Sequence, residues 1–326
     1  MPLPRNMQKT ASDSVGGEGK GKGKRGGHPI RFIPPLILLL GITVIGINMH
    51  MTHISILSLS QDDSEKLSDQ ERRMLFYRNR YKHTPPMKHP QNYSKVRENL
   101  CGSPPEYVSY FSQRKWVRSQ FEEDKTLYNT LFQGVVNQTF VELGAFDGMH
   151  WSNSRFFEEC LGWNGMLIEA SPAVFPRLLT NRPHTHRLSF APICNEANRT
   201  ILFANDAKPK SAADGVIGKD SKDMVEVSCG PLGPVLEDVM GGHIALFSLD
   251  VENSEPMVLK TINWSKVKVD TWIVESINGR DNEESTNQET RDIFQSAGYT
   301  RYEGIVKNSD LYIHKTSPYQ LRMPRT

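Results

Sequence analysis

A short apolar strand, a glycine-containing turn and an amphipathic helix follow one another between residues 139 and 162. TFVEL (139–143) is rich in β-forming residues, GAFDG (144–148) has turn composition, and SNSRFFEECLG (152–162) has the apolar period of a helix. Because parallel strands need a crossover connection, a strand that enters a helix in this way is typical of a parallel α/β unit. The pattern predicts an α/β fold for the C-terminal part of the chain.

The same alternation of strands and helices continues to the end of the chain. Further buried strands are predicted at 165–170, 186–194, 224–229, 243–251 and 269–277. Helices are predicted at 115–133, 171–182, 232–241, 252–262 and around 290–298. Residues 195–224 have the composition of a polar loop or hairpin, and YTRYEGIV and DLYIHK predict a terminal antiparallel hairpin. The alternation indicates a doubly wound, mostly parallel sheet.

The N-terminal residues differ from the rest in composition. Residues 1–31 are basic and glycine-rich, which predicts a disordered tail. No Asp, Glu, Lys or Arg occurs from Phe32 to Gln61, and a membrane-crossing helix needs about 20 apolar residues. We therefore predict a transmembrane signal-anchor at 32–59, with a buried core helix and a cleaved signal peptide as alternatives.

The charges on either side of this span predict its orientation. Basic residues precede it and Asp62, Asp63 and Glu65 follow it, so the tail is expected in the cytoplasm and the bulk of the chain in the lumen of the endoplasmic reticulum or Golgi. Residues 60–100 are charged and without a sustained apolar period, which predicts a stem before a folded domain at 101–326. Sequons that fit a lumenal location occur at Asn92, Asn137, Asn198 and Asn263.

The four cysteines lie on the predicted lumenal side, at positions 101, 160, 194 and 229. They contain no close CxxC pair, which disfavours a zinc knuckle or a thioredoxin-type site. Four cysteines allow three disulfide connectivities. Because Cys194 and Cys229 each end a predicted strand, we expect them to pair, leaving Cys101 with Cys160.

The charge balance excludes one class of partner. The chain has 39 Lys and Arg against 37 Asp and Glu, a formal net charge of +2. A general nucleic-acid binder carries a much larger basic excess. A nucleic-acid partner is therefore not expected, and the membrane predicted from residues 32–59 is one expected partner.

The glycine turn is the first candidate site. In an open α/β sheet the ligand lies beyond the carboxyl ends of the strands, where Gly144 and Gly148 would let a ligand approach the backbone. Glu169 ends the next predicted strand, where a carboxylate can accept the hydroxyls of a ribose. Asp147 and Glu142 make the turn anionic, which favours a cationic nucleoside such as S-adenosylmethionine over a pyrophosphate. A tight structural turn is the alternative.

The second candidate site is the acidic group Asp250, Glu252 and Glu255, at the end of the strand predicted at 243–251 and directly after it. Crowded carboxylates can supply a general base or hold a divalent metal. A solvated helix start, where acids complement the helix dipole, is the alternative. His150 and His243 are weaker candidates for the base. Trp151 and Trp163 are candidates for stacking on a sugar, although core packing explains them as well.

Four segments carry a resemblance to a known family. FVELGAFDG (140–148), SNSRFFEECLGWNGMLIEASP (152–172), LFSLDVENSEPMVLKTINW (246–264) and the final GYTRYEGIVKNSDLYIHK resemble FkbM-type methyltransferases in order and spacing, over roughly residues 115–315. The resemblance implies a seven-stranded class I methyltransferase fold of Rossmann-like type, S-adenosylmethionine as methyl donor, and a sugar or glycan hydroxyl as acceptor.

The motifs of this family also imply roles for individual residues. Three acidic residues are implied near the transferred methyl group: Asp250, Glu252 and Glu255. A further set is implied in donor binding: Glu142, Gly144, Asp147, Gly148, Asn153 and Glu169. A divalent metal is compatible with the acidic residues but is not assigned to any of them.

The sequence departs from the family pattern at Asn253, where a glycine is often found. If that position requires a positive φ, Asn tolerates it better than most residues. The departure leaves open a non-catalytic adaptor for protein cargo, as in membrane-anchored Star-like relatives that act in trafficking. A type II glycosyltransferase, with Asp250 and Glu252 as metal ligands, is the third hypothesis.

Overall fold

The computed structural model describes residues 67–114, 117–195, 199–204, 224–276 and 283–323. The predicted tail and membrane span, residues 1–59, lie outside these ranges, as does the sequon at Asn198. Within the described ranges, no helix is both long enough and apolar enough to cross a bilayer.

The described strands fall into two sheets. The strands are β1 Thr139–Leu143, β2 Asn164–Ile168, β3 His186–Leu188, β4 Thr200–Ala204, β5 Met224–Ser228, β6 His243–Leu249, β7 Lys268–Glu275, β8 Tyr299–Val306 and β9 Ser309–His314. The main sheet has seven strands in the order β3-β2-β1-β6-β7-β9-β8. Its first five run parallel, whereas β9 is antiparallel to β7 and β8. This confirms the mostly parallel sheet and the C-terminal hairpin.

Helices connect and flank these strands. They are α1 Asp69–Arg80, α2 Tyr93–Cys101, α3 Val108–Phe111, α4 Glu123–Leu127, α5 Arg155–Leu161, α6 Phe175–Asn181, α7 Gly233–Met240, α8 Glu255–Leu259 and α9 Glu283–Ser296. A π-helical turn, Tyr128–Phe132, extends α4, and a 3₁₀ helix, Pro318–Arg322, follows β9.

Apolar side chains cover both faces of the main sheet. Successive residues of a strand point to opposite faces, so Phe140 and Val141 of β1 belong to different apolar clusters, as do Leu167 and Ile168 of β2. Parallel sheets are buried on both faces, which is why their strands are almost wholly apolar. Polar side chains are therefore concentrated at the strand ends.

The expected stem is wrong for most of its length. From Asp69 onward the chain forms α1 and α2, and Tyr77 of α1 is buried. Tyr81 stacks on Phe190 with 4.1 Å between ring centroids. Although this segment is charged on average, its tyrosines supply the apolar surface that binds it to the domain. The folded domain therefore begins before residue 101, at the capping box of Ser68 and Glu71.

The two predicted disulfides are confirmed. Cys194 pairs with Cys229 beside the antiparallel sheet of β4 and β5, and Cys101 at the end of α2 pairs with Cys160 in α5. The first bond links the chain after β3 to the small sheet. The second links α2 to the main domain.

Two predicted elements are shorter than expected. The helix expected at 115–133 begins only at Glu123, because the preceding residues leave the helical path; Glu122 has φ 67° and Ser119 pairs with Trp151. The strand expected at 186–194 ends at Leu188, because the next residues pair elsewhere. Ser189 N donates to the carbonyl of Tyr81, and Ala191 N donates to that of Ser228.

Candidate functional site

The candidate site lies where the parallel strands end. The glycine turn follows β1, Asp250 follows β6 directly, and Glu275 is the last residue of β7. The amide of Asp250 donates to the carbonyl of Leu143 at 3.1 Å, so the chain leaving β6 stays beside the turn. The sheet therefore brings both predicted motifs to one edge, as expected for an open α/β sheet.

The two glycines of the turn are required by close packing. Gly144 has φ +83°, and a Cβ there would lie 1.8 Å from the carbonyl oxygen of Asp250. Gly148 has φ +75°, and a Cβ there would lie 2.6 Å from Cγ of Arg182. Contacts within the chain are enough to explain both glycines. Their predicted part in donor binding stays a prediction.

Glu142 anchors the start of α5. One of its carboxylate oxygens accepts from the hydroxyls of Ser152 and Ser154, at 2.7 and 2.5 Å. The other accepts from the amide of Asn153 at 2.8 Å. Both oxygens of this buried carboxylate thus have partners inside the protein, as a buried charge requires.

Arg182 extends this network under the glycine turn. Its side chain is 1% exposed and donates to the carboxylate of Glu158 at 2.6 Å. It also donates to the carbonyl of Gly148 at 3.0 Å and to the hydroxyls of Ser152 and Ser154. The guanidinium therefore connects α6, α5 and the turn in one buried, charge-assisted network.

Asp147 holds the second half of the turn. Its Oδ1 accepts from the amides of Met149 and His150, at 3.0 and 2.9 Å. Its Oδ2 lies 2.6 Å from Nδ1 of His150. This places His150 next to the turn, where its ring is held by Asp147.

Glu169 connects the end of β2 to the same turn. Its oxygens accept from the amides of Phe146 at 2.9 Å and Ser171 at 2.7 Å. Burial raises the pKa of Glu169 to about 7, although hydrogen bonds from the backbone act in the opposite direction. The residue predicted to bind the ribose therefore also fixes the glycine turn in place.

A polar pocket lies at the carboxyl ends of β6 and β7. Its lining consists of Gln120, Phe121, Glu123, Asn153, Ser248, Leu249, Asp250, Ile273, Glu275, Asn308 and Ser309. Three of these residues are acidic, and none of the described residues lining the pocket is Lys or Arg. The pocket therefore favours a cationic group over an anionic one.

Asp250 and Glu275 are neighbours in this pocket. Leu249 pairs with Val274, so the residues that follow them lie side by side. Burial raises the pKa of Asp250 well above its usual value, and the adjacent Glu275 raises it further. Within the described residues, Asp250, Glu252 and Glu275 can each bring an oxygen within 4.8 Å of the others. Carboxylate oxygens of this kind suit a divalent cation, and a metal at this position stays a prediction.

The loop after Asp250 has an unusual backbone. Glu252 has φ 54° and Asn253 has φ 72°, so position 253 is left-handed, which explains a preference for Gly or Asn there. Glu255 then begins α8 and accepts from the amide of Val251 at 3.1 Å. Burial raises the pKa of Glu255 to about 7. The buried side chain of Glu255 therefore holds this loop in place through its hydrogen bond to Val251.

The structure separates the predicted residues into two groups. Asn153 and Asp250 line the pocket, and Glu252 lies beside it in the acidic group. The remaining predicted side chains bond to the backbone or to each other inside the protein: Glu142, Asp147, Glu169 and Glu255.

Sequence reasoning missed Glu123 and Glu275. A signal for Glu275 was present, because it is an acidic residue near the end of the strand predicted at 269–277. Glu123 had no such signal, because the helix around it was predicted to begin earlier. Two weaker candidates are excluded from this pocket: His243 begins β6 at the opposite end of the strand, and Trp163 is buried in the core, with its Nε1 donating to Val135.

A comparison with known families identifies the domain. Residues 142–301 match the model of the methyltransferase FkbM domain. These residues form an FkbM-type methyltransferase domain. The chain is accordingly assigned to the S-adenosylmethionine-dependent methyltransferases. No curated protein matches the chain at a significant level.

Solved structures with a similar chain path include several methyltransferases. Aeropyrum pernix fibrillarin in complex with S-adenosyl-L-methionine is 10% identical, with 66% of this chain and 85% of that chain covered and a TM-score of 0.35. A TehB-like S-adenosylmethionine-dependent methyltransferase from Corynebacterium glutamicum is 8% identical, with 69% and 97% covered and a TM-score of 0.34. A TDP-rhamnose 3'-O-methyltransferase of calicheamicin biosynthesis is 11% identical, with 80% and 97% covered and a TM-score of 0.32. At these identities and TM-scores, the similarities support no conclusion about this chain.

Proposed function

We propose that the FkbM-type domain transfers a methyl group from S-adenosylmethionine to a hydroxyl group of a glycan or another small acceptor. The observation that carries this proposal is the acidic pocket beside the glycine turn, with three carboxyl groups and neither Lys nor Arg in its described lining. A sulfonium and an ammonium group are both cationic, so such a pocket favours the methionine end of the donor over a phosphate.

The residues present fit this donor. Asn153 Nδ2 donates to the hydroxyl of Ser248 at 3.0 Å, whereas its Oδ1 is buried and has no hydrogen-bond partner among the described residues. A buried acceptor without a partner is uncommon and is satisfied when a donor enters. Asn153 Oδ1 and the nearby carboxylates are therefore the groups that would hold a cationic ammonium.

S-adenosylmethionine, when bound, supplies an electrophilic methyl group. The chain's own groups have to orient the acceptor hydroxyl, remove its proton and exclude water. Asp250 is placed to accept the proton, because it is at the strand end and lines the pocket beside Glu275. Ser248, which also lines the pocket, is the hydroxyl group available to orient the acceptor. Leu249 and Ile273 form the apolar part of the lining.

Calorimetric titration of the full-length protein with S-adenosylmethionine tests the proposal. We expect binding, and transfer of labelled methyl groups to a pool of free N- and O-glycans. Asp250→Asn should lower the transfer rate by about 100-fold or more, since a general base contributes on the order of 10²–10⁴. Donor binding should remain measurable in this variant, because Glu123 and Glu275 still line the pocket. Phe76→Ala, an exposed substitution on α1, is the control. Absence of donor binding by the folded protein would eliminate the methyltransferase.

A non-catalytic adaptor is the second candidate, and one observation favours it. Glu169, which the family motif places on the donor ribose, has both oxygens bonded to backbone amides. An adaptor needs neither donor binding nor Asp250. Normal cargo transport by Asp250→Asn, together with undetectable donor binding, would support the adaptor.

We propose that the protein is a single-pass type II membrane protein whose domain lies in the lumen of the endoplasmic reticulum or Golgi. The charge pattern around residues 32–59 and the two disulfides support this location. The sequon residues Asn92, Asn137 and Asn263 are exposed. Treatment of the cellular protein with an N-glycosidase should increase its electrophoretic mobility. An unchanged mobility, with all cysteines reactive to a thiol reagent, would contradict a lumenal domain.

A further inference from the structure

The outer wall of the pocket is formed by two chain segments that lie side by side. Gln120 and Phe121 of the first segment and Asn153 of the second line the pocket. Ser119 directly precedes Gln120, and Trp151 lies two residues before Asn153. These two residues form a parallel β-bridge. The bridge therefore places Trp151 at the rim of the pocket.

Trp151 is both exposed and conformationally unusual. It is 36% exposed, although tryptophan is mostly buried in folded proteins. Its φ is 57°, a left-handed value that is rare for a bulky residue. Such backbone strain persists only where the surroundings fix it, and it is frequent at ligand sites. His150 and Ser152 provide that fixation, since they bond to Asp147 and Glu142.

The remaining groups at this rim combine planar amides with an aromatic ring. Gln120 and Asn308 each offer an amide in the lining of the pocket. An amide can donate to one hydroxyl and accept from its neighbour. Lys307 Nζ lies 4.9 Å from the ring centroid of Phe121 and covers one part of that ring. Of the two aromatic residues in these segments, Trp151 is exposed and Phe121 is only partly exposed.

A pyranose ring has the complementary surface, because its C–H groups form an apolar face and its vicinal hydroxyls lie along its edge. A phosphorylated or carboxylated acceptor does not fit, since the pocket already contains Glu123, Asp250 and Glu275. We propose that Trp151 and Gln120 form an acceptor subsite for a neutral pyranose, with Trp151 stacking on the sugar and Gln120 binding its hydroxyls. This inference rests on the proposed methyl transfer, for which it names the residues that select the acceptor.

Saturation-transfer NMR on the full-length protein tests the subsite with methyl glycosides of mannose, galactose, N-acetylglucosamine, xylose and fucose as probes. Each glycoside is titrated with and without S-adenosylmethionine, against wild type, Trp151→Ala, Gln120→Ala and the control Phe76→Ala. Phe76 is also an exposed aromatic residue, at 44%, but lies on α1. Calorimetry with S-adenosylmethionine is run on the same four proteins.

We expect at least one glycoside to bind wild type and Phe76→Ala equally. Trp151→Ala and Gln120→Ala should weaken that binding by about tenfold or more, while donor affinity stays within about twofold, because one good contact in a site is worth roughly this factor. No glycoside binding by wild type, or unchanged binding by Trp151→Ala, overturns the subsite. If a glycoside binds in a Trp151-dependent way but S-adenosylmethionine does not bind, the result instead refutes methyl transfer and leaves a sugar-binding site.

Discussion

Acidification should weaken the fold through one buried histidine. His83 is 4% exposed, and its Nε2 lies 3.0 Å from Nδ1 of His186. Burial, the neighbouring His186 and the positive charges of Arg78 and Arg187 together lower the pKa of His83 to about 4. No carboxylate contributes to stabilising a proton on this ring. His83 is therefore held neutral in the folded protein.

The sign and size of the effect follow from proton linkage. The unfolded chain binds a proton on this histidine below pH 6.5, whereas the folded chain binds it only near pH 4. The contribution of neutral His83 to the free energy of unfolding is therefore fully present above pH 6.5 and is lost as the pH falls toward 4. Between pH 7.5 and 5.0 the shift corresponds to about 1–2 kcal/mol, the lower figure allowing for solvent screening.

The substitution His83→Gln isolates this contribution, because an amide can still hydrogen-bond to His186 but does not titrate. Urea unfolding of both proteins at pH 7.5 and 5.0 should show the variant gaining about 1–2 kcal/mol relative to wild type on acidification. Met87→Gln, at an exposed position of the same segment, should show a difference that is independent of pH. A difference for His83→Gln that is equal at both pH values would refute the neutral, buried histidine.

Three further substitutions test the packing around the candidate site. Gly144→Ala should lower the free energy of unfolding by about 3 kcal/mol or more in thermal unfolding, because its Cβ would clash with a carbonyl oxygen. Gly134 has φ +75° but open space around it, so Gly134→Ala should lower the free energy of unfolding by only about 1–2 kcal/mol. Equal losses for the two variants would contradict the clash. Glu158→Gln should lower the free energy of unfolding by about 3–5 kcal/mol, since it leaves Arg182 buried with a weaker partner, and a loss below about 1 kcal/mol would show that the network is not needed. Replacing both Cys101 and Cys160 by Ser should remove about 4 kcal/mol, the loop-closure value for a separation of 59 residues; an unchanged midpoint in denaturant would contradict this.

Much of the main sheet could be predicted from the sequence, because its strands are nearly continuous apolar runs between turn residues. TFVEL is β1 without correction, and the strand expected at 243–251 differs from β6 only at its end. The disulfide pairing followed from two strand ends that were expected to be close. The two strand predictions depend on local composition alone, whereas the pairing of Cys194 with Cys229 was correct although β3 ends before Cys194.

The errors have a common physical cause in contacts between distant segments. The chain at 69–101 is polar on average, yet Tyr77 and Tyr81 bind it to the domain. The capping box at Ser68 was the available local signal for α1. Strand β3 ends early because Tyr81 and Ser228 provide other partners for the following residues. Tertiary pairing of this kind is not visible in a local pattern.

The candidate site was likewise predictable where local sequence determines it and unpredictable where contacts between distant segments do. Asp250 could be placed because it follows a predicted strand, and Glu275 was missed although it ends the neighbouring one. The internal bonds of Glu142 and Glu169 could not be predicted, because they depend on where Ser152 and Phe146 come to lie. The family motif names these residues without saying which ones face a ligand.

The segment from Ser68 to Met87 pairs with β3, and this pairing determines where a protease can cut the chain and still leave the folded domain intact. Thr84 and Arg187 exchange both backbone hydrogen bonds, so this segment occupies the outer edge of the main sheet. A cut before Ser68 leaves that edge covered. A cut between Met87 and Tyr93 separates the covering segment from the domain, since residues 68–92 contain no cysteine, and an uncovered strand edge invites self-association. Under the proposed single-pass topology, cleavage before Ser68 would release a domain whose outer strand stays covered, whereas cleavage between Met87 and Tyr93 would release a domain that self-associates.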